Sequence, residues 1–241
     1  MKVLLILGHP RTDSLCGGLF EAYREGAEAA GAQVETLVLA EMDFDVHVHA
    51  ESPEQQHYEP DICRARELIG WAEHLVFVYP TWWGTMPALL KGFLDRIVTP
   101  GFAFHFRDPD KPGWDRLWAG KTSQVITSMD TPPLIYRLLF RGPGNNAMRR
   151  ATLGFCGVKS RRAINLGPVR LSTREQRRAW IERVRRAGFA LRERPGKHWR
   201  RQLAAWLQAL RPQFYPSTWA TYTVGALAVA GSNVFATPVY W

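Results

Sequence analysis

Hydrophobic positions follow two rhythms along this chain. Residues 2–7 and about 74–79 are unbroken apolar runs flanked by turn formers. Such runs suit strands buried on both faces. Residues 33–39 alternate and read as a second strand, and Ser123 to Ser128 reads as the fourth. Ala163 to Leu166 gives a weak fifth. Between them the spacing turns helical. Leu15, Leu19, Ala22, Tyr23, Gly26 and Ala30 share one side of a helix from Ser14 to about Ala30, with Gly31 at its C-cap. Further helices are expected over about 61–71, from Pro87 in a first-turn position to about Val98, and in a short piece near 143–153. Ser172-Thr173-Arg174-Glu175 reads as a capping box that opens a long helix to about Arg192. Residues 40–60 form a polar loop, and a long loop rich in Gly, Pro and aromatics precedes the fourth strand.

Strand and helix alternate throughout, which argues a parallel sheet covered on both faces. Five strands fit a doubly wound α/β order 2-1-3-4-5, in which ligands bind beyond the carboxyl ends of the strands. The 241 residues allow one such domain, placed at 1–194, with a C-terminal extension over 195–241.

Charge is distributed unevenly along the chain. Residues 1–140 carry 12 Lys/Arg against 19 Asp/Glu, and residues 141–201 carry 18 against three. Only Arg211 is charged beyond that. The basic run from Arg174 onward reads first as the solvated face of an amphipathic helix, since Ala179, Trp180, Val184 and Ala187 supply an apolar side. No nucleic-acid-binding motif accompanies it. In the uncharged tail, Trp219 and Tyr222 stand at one end and Tyr240 and Trp241 at the other. Two expectations stay open for it: a tail docked on the protein, or a segment that contacts an anionic membrane with its basic flank in the cytoplasm. Cys16, Cys63 and Cys156 are not in metal spacing. They read as free thiols of a cytoplasmic protein, and no export signal is recognised at the N-terminus.

The first strand ends in Gly8-His9-Pro10-Arg11-Thr12-Asp13-Ser14-Leu15-Cys16. This is neither Gly-x-Gly-x-x-Gly nor a P-loop. A loop with His, Arg and Ser before a helix start favours an anion all the same, through free amides and the helix dipole. Ser14 or Asp13 serving only as an N-cap is the plainer alternative. His47, His49 and His57 lie in the polar loop without a zinc-type constellation, and read as surface histidines; no metal is expected.

The most specific stretch is Tyr79-Pro80-Thr81-Trp82-Trp83-Gly84-Thr85-Met86-Pro87-Ala88, continued by Lys91-Gly92, Asp95-Arg96 and Thr99-Pro100-Gly101-Phe102-Ala103-Phe104. This pattern resembles the signature of the flavodoxin-like NAD(P)H:quinone oxidoreductases of the DT-diaphorase type. The resemblance covers residues 1 to about 190. It implies a flavodoxin-like fold, a tightly bound flavin (FAD or FMN), NAD(P)H as co-substrate, and a homodimer with its site at the subunit interface. It also implies ping-pong hydride transfer to a quinone or similar acceptor. By the same resemblance His9, Arg11, Ser14, Leu15 and Cys16 hold the flavin phosphates, with Cys16 where Asn is usual. Pro80, Thr81, Trp82, Trp83 and Gly84 lie along the ring, and Thr127, Ser128, Met129 and Asp130 form the next wall. That last segment lacks the family's glycines. Tyr136 is the candidate for stabilising charge on the acceptor, and a packing role is the alternative. Rival readings are an FMN-dependent azo- or nitro-reductase, and a flavin-binding electron carrier or regulatory subunit at a membrane.

Overall fold

The computed structural model describes residues 1–108 and 112–191. They fall within one compact unit, Met1–Arg192. The 194/195 boundary and the alternatives for the tail lie outside the described residues. Among the described residues no helix is long and apolar enough to cross a membrane.

The chain runs β1 (Lys2–Leu7), α1 (Leu15–Ala29), β2 (Gln33–Val38), α2 (Pro60–Trp71), β3 (His74–Pro80) and α3 (Ala88–Ile97). It continues through β4 (Phe104–Phe106), β5 (Trp114–Arg116), β6 (Thr122–Ser128), α4 (Pro133–Leu138) and α5 (Pro143–Asn146). It closes with β7 (Lys159–Ser160), β8 (Ile164–Leu166) and α6 (Arg174–Phe189). The main sheet is parallel, in the order β2-β1-β3-β6-β7, with β8 also pairing to β6. The flavodoxin-like class therefore holds, with a small difference at the edge. The fifth position is two short strands rather than one. Where the ladder breaks between them, the buried Gln124 side chain donates to the Arg162 carbonyl at 3.0 Å.

The apolar runs are continuous because both faces of the sheet are covered. Leu4 and Ile6 of β1 join Leu75, Phe77 and Tyr79 of β3 on the α2/α3 side. Val3, Leu5, Leu7, Val76 and Val78 face the α1/α6 side. On that side the two helix backbones nearly touch. A Cβ on Gly26 would lie 2.0 Å from the Arg185 carbonyl oxygen, and one on Gly188 would lie 2.4 Å from that of Tyr23.

Other differences have local causes. The capping box of α6 sits one residue later: Thr173 is the N-cap, and it exchanges hydrogen bonds with Gln176 rather than Ser172 with Glu175. Ser172 instead donates to the Val169 carbonyl at 2.6 Å. Pro87 is the extended N-cap of α3, not a residue of its first turn. The long aromatic loop contains the β4–β5 hairpin, anchored by Trp114 stacked on Phe155 with ring centroids 4.5 Å apart. The polar loop of residues 40–59 is pinned to α3. Arg96, fully buried, donates to the carbonyls of Asp45 and His57 and pairs with Glu59 at 2.7 Å. Burial pushes the Glu59 carboxyl upward, but the Arg96 hydrogen bonds and the Asp45 amide win and hold it at about 2.

Candidate active site

Three segments meet where β1, β3 and β6 end. Each is fastened to its neighbour by backbone hydrogen bonds. Gly8 donates to the Val78 carbonyl at 2.8 Å and Thr81 to that of Ser128 at 2.7 Å. Gly8 has no room for a side chain, since a Cβ there would meet Leu90 at 2.8 Å.

The first segment leads into α1. His9 is nearly buried, and its Nδ1 accepts from the Arg11 amide at 2.9 Å. Burial and the neighbouring Arg11 charge push its pKa down, so the imidazole is neutral with a donor at Nε2. Arg11 itself is exposed. Ser14 is the N-cap of α1: its Oγ accepts from the Gly17 amide at 3.1 Å. The amides of Leu15 and Cys16 then head the helix without an intrahelical acceptor, at its positive end. The Cys16 side chain points elsewhere. It is buried, 3.2 Å from Ser128 Oγ, and burial raises its pKa to about 11 despite that hydrogen bond. Only its amide remains to face an anion.

The second segment is a tight turn. Trp82 and Thr85 bond each other in both directions, at 2.9 and 3.0 Å. Trp83 and Gly84 between them have φ of 50° and 81°, the signature of a type I′ turn. A tryptophan in the left-handed region is strained by about 1–2 kcal/mol. Its indole is fully exposed, and that of Trp82 is 45% exposed, edge-on to His9 at 5.9 Å. The turn's own hydrogen bonds leave the amides of Trp83 and Gly84 unused.

The third segment closes the floor. Thr127 Oγ1 donates to Asn165 Oδ1 at 3.0 Å, and Met129 is buried with its amide on the Leu166 carbonyl. Asp130 is exposed, and Oδ1 accepts from the Arg170 amide at 2.8 Å.

Tyr136 reaches this assembly through its hydroxyl. It donates to the Gly84 carbonyl at 3.0 Å and accepts from the amides of Gly144 at 2.9 Å and Asn145 at 3.3 Å. Burial raises its pKa, and the two amide bonds temper the shift. The phenol braces the turn against α4 and α5. Beside it, Leu134, Ile135, Leu138, Leu139 and Phe140 lie exposed in one short stretch. Pattern reading missed α4 and this surface, as it missed Asn145 and Asn165, although the Leu-Ile-x-x-Leu-Leu-Phe spacing was visible. A hollow of about 500 Å³ lies between α4, β8 and α6, lined by Arg137, Arg162, Arg183 and Trp180 among others. None of the expected cofactor residues lines it.

The residues present fit a flavin. Two helix-heading amides suit a phosphate, two free turn amides suit the polar edge of a ring, and exposed indoles suit its face.

Comparison with known proteins agrees with this fold. The Flavodoxin_2 family, described as a flavodoxin-like fold, matches residues 1–179. A ribosyldihydronicotinamide dehydrogenase-like protein of Penicillium crustosum is 31% identical over 153 residues, which are 54% of this chain and 57% of that protein. The chain thus spans little more than half the length of that relative. The quinone-type ribosyldihydronicotinamide dehydrogenase of Rattus norvegicus is 26% identical over 215 residues, covering 76% of this chain and 90% of the relative. Among solved structures, an NAD(P)H:quinone oxidoreductase from Methanothermobacter marburgensis superimposes with a TM-score of 0.68 at 27% identity, over 80% of this chain and 98% of the other.

Proposed function

The chain belongs to the Flavodoxin_2 family of flavodoxin-like proteins, and from that premise we propose that it is a flavin-dependent NAD(P)H oxidoreductase that passes two electrons to a quinone-like acceptor. The observation that carries this reading is the meeting of two kinds of surface at one sheet edge. Helix-heading amides lie beside a neutral buried histidine, and a strained turn beside them displays two indoles. The quinone named for the rat relative and the NAD(P)H:quinone chemistry named for the Methanothermobacter marburgensis protein support the same reading.

A bound flavin, FAD or FMN, would supply hydride chemistry between NAD(P)H and the acceptor. The protein's share is to hold and orient. The amides of Leu15 and Cys16, with His9 and Arg11 beside them, would receive the phosphate. Ser14 shapes that site as the cap. The free amides of Trp83 and Gly84 would meet the ring's polar edge, where negative charge grows on reduction. Trp82 and Trp83 would lie along its face, and Thr127 to Asp130 would form the next wall. Tyr136 holds Gly84, and so fixes the turn. Its hydroxyl already serves three backbone groups, which favours positioning over proton donation.

The exposed apolar stretch from Leu134 to Phe140 adjoins the turn and supports a homodimer that buries it and closes the site. The three cysteines are free thiols, which fits a reducing cytoplasm.

The test is the absorbance spectrum of the purified protein under anaerobic conditions. Flavin bands that bleach on adding NADH or NADPH and return on adding a quinone are expected, and released cofactor identifies FAD or FMN. A protein that binds neither flavin overturns the proposal.

A further inference from the structure

The loop between β2 and α2 carries a second constellation. Asp45, His47 and His49 occupy alternate positions and point outward, while Phe44, Val46 and Val48 turn inward. Asp45 Oδ1 lies 3.2 Å from His47 Nδ1, and Oδ2 lies 2.7 Å from His49 Nε2. One ligand atom from each residue lies within 4.8 Å of the other two. Spacing alone had offered the histidines without a carboxylate. The fold adds Asp45.

We propose that Asp45, His47 and His49 form a binding site for one borderline divalent metal ion of the Zn²⁺ class. Two imidazoles and one carboxylate are a favoured donor set for such ions, and exposure leaves the remaining coordination position to water. The His47 amide donates to Asp45 Oδ1 at 2.9 Å and fixes the carboxylate's orientation.

The backbone under the three ligands is fixed at several points. Arg96 grips the Asp45 carbonyl from below, and the Asp45 amide donates to Glu59 Oε1 at 3.0 Å. Val46 seats where Gly92 has no side chain, since a Cβ on Gly92 would meet it at 2.7 Å. The Gln56 side chain accepts from the His49 amide at 2.8 Å and donates to the His47 carbonyl at 3.0 Å. Binding therefore needs only side-chain rotation, and little chain entropy opposes it. A bound ion would replace the hydrogen bonds now joining the carboxylate to the imidazoles and would staple the loop across its outer surface.

This site is independent of the flavin reading, and so is its test. Tag-free full-length protein, stripped with chelator, is titrated with Zn²⁺ by calorimetry and with Co²⁺ by visible absorbance. The expected result is one ion per chain, a Co²⁺ spectrum of low coordination number, and a rise in melting temperature with Zn²⁺. Affinity falls at least about tenfold in His47→Ala, His49→Ala and Asp45→Asn. It stays unchanged in His57→Ala and His105→Ala. Both target imidazoles are largely exposed, 76% and 69%, so their variants keep the fold. Absence of binding to the parent protein overturns the proposal. So does binding that survives loss of both His47 and His49.

Discussion

The two walls of the candidate site are built in opposite ways. The α1 wall is closed: His9 and Cys16 are buried, Ser14 is committed to its cap, and Gly17 leaves no spare room. The Trp82–Trp83 wall is open, with a strained turn held from behind by one phenol and flanked by exposed apolar side chains. A wall built from backbone amides on a packed helix suits a resident group. A wall built from exposed rings suits a visitor that comes and goes. On the proposed function, the first wall carries most of the cofactor retention, and the second covers the flavin ring and handles the acceptor.

Breaking the closed wall is expected to have the largest effect. A Cβ at Gly17 would sit 2.0 Å from the Thr12 carbonyl oxygen. Gly17→Val is therefore expected to displace the loop, cost about 3 kcal/mol and abolish flavin retention. Denaturant melts and the visible spectrum check both. Tyr136→Phe tests the brace of the open wall. It strips a partner from Gly84, Gly144 and Asn145, and a loss of about 2 kcal/mol is expected. Flavin content should hold while KM for the acceptor rises. A fall in kcat at unchanged stability and KM would instead make the hydroxyl a participant in the chemistry.

Acidification separates wall effects from global ones. His74, at the far end of β3, is buried between Tyr23 and Thr122, and burial, aided by Arg161, lowers its pKa to about 3. The unfolded chain binds that proton near pH 6.5, so stability is full above this and falls between about 6.5 and 3. A loss of about 2 kcal/mol from pH 7 to 5 is expected, and His74→Gln should flatten it. Flavin lost more steeply than stability over this range would point to the site itself. The smallest effect sharpens the contrast. Trp83→Asn removes the left-handed strain and should raise stability by about 1 kcal/mol while weakening flavin retention and acceptor turnover. If both improve, the indole has no part in the site.

Most of the sheet was readable from sequence because burial on both faces leaves apolar runs. β7 and β8 were less so, since a short edge pair leaves little pattern. α4 escaped because its apolar residues face outward and no core imposes a period on them. Only the type of the turn at Trp83-Gly84 escaped, for another reason: the usual type I′ sequence is Asn-Gly, and here tryptophan takes the strained position. Arg96 was visible within the motif, but its work was not. Its carboxylate partner, Glu59, lies 37 residues earlier, and no local spacing connects them. The loops at the strand ends were singled out by residue type and offset. Which side chains turn inward, as Cys16 does, depends on packing against Ser128 that only the fold supplies.

The glycine seam between α1 and α6 also sets the order in which the molecule can be assembled. The helix that heads the anion site emerges early in synthesis, yet the surface it packs on comes late. Glu25 and Arg185, which bond across the seam, are 160 residues apart. Until α6 has left the ribosome, Leu19, Tyr23 and Ala27 lack much of their cover, and the amides at the head of α1 lack a rigid footing. On the proposed function the cofactor is acquired only after α6 has been made, and until then the nascent protein presents an apolar helix face that a chaperone would recognise.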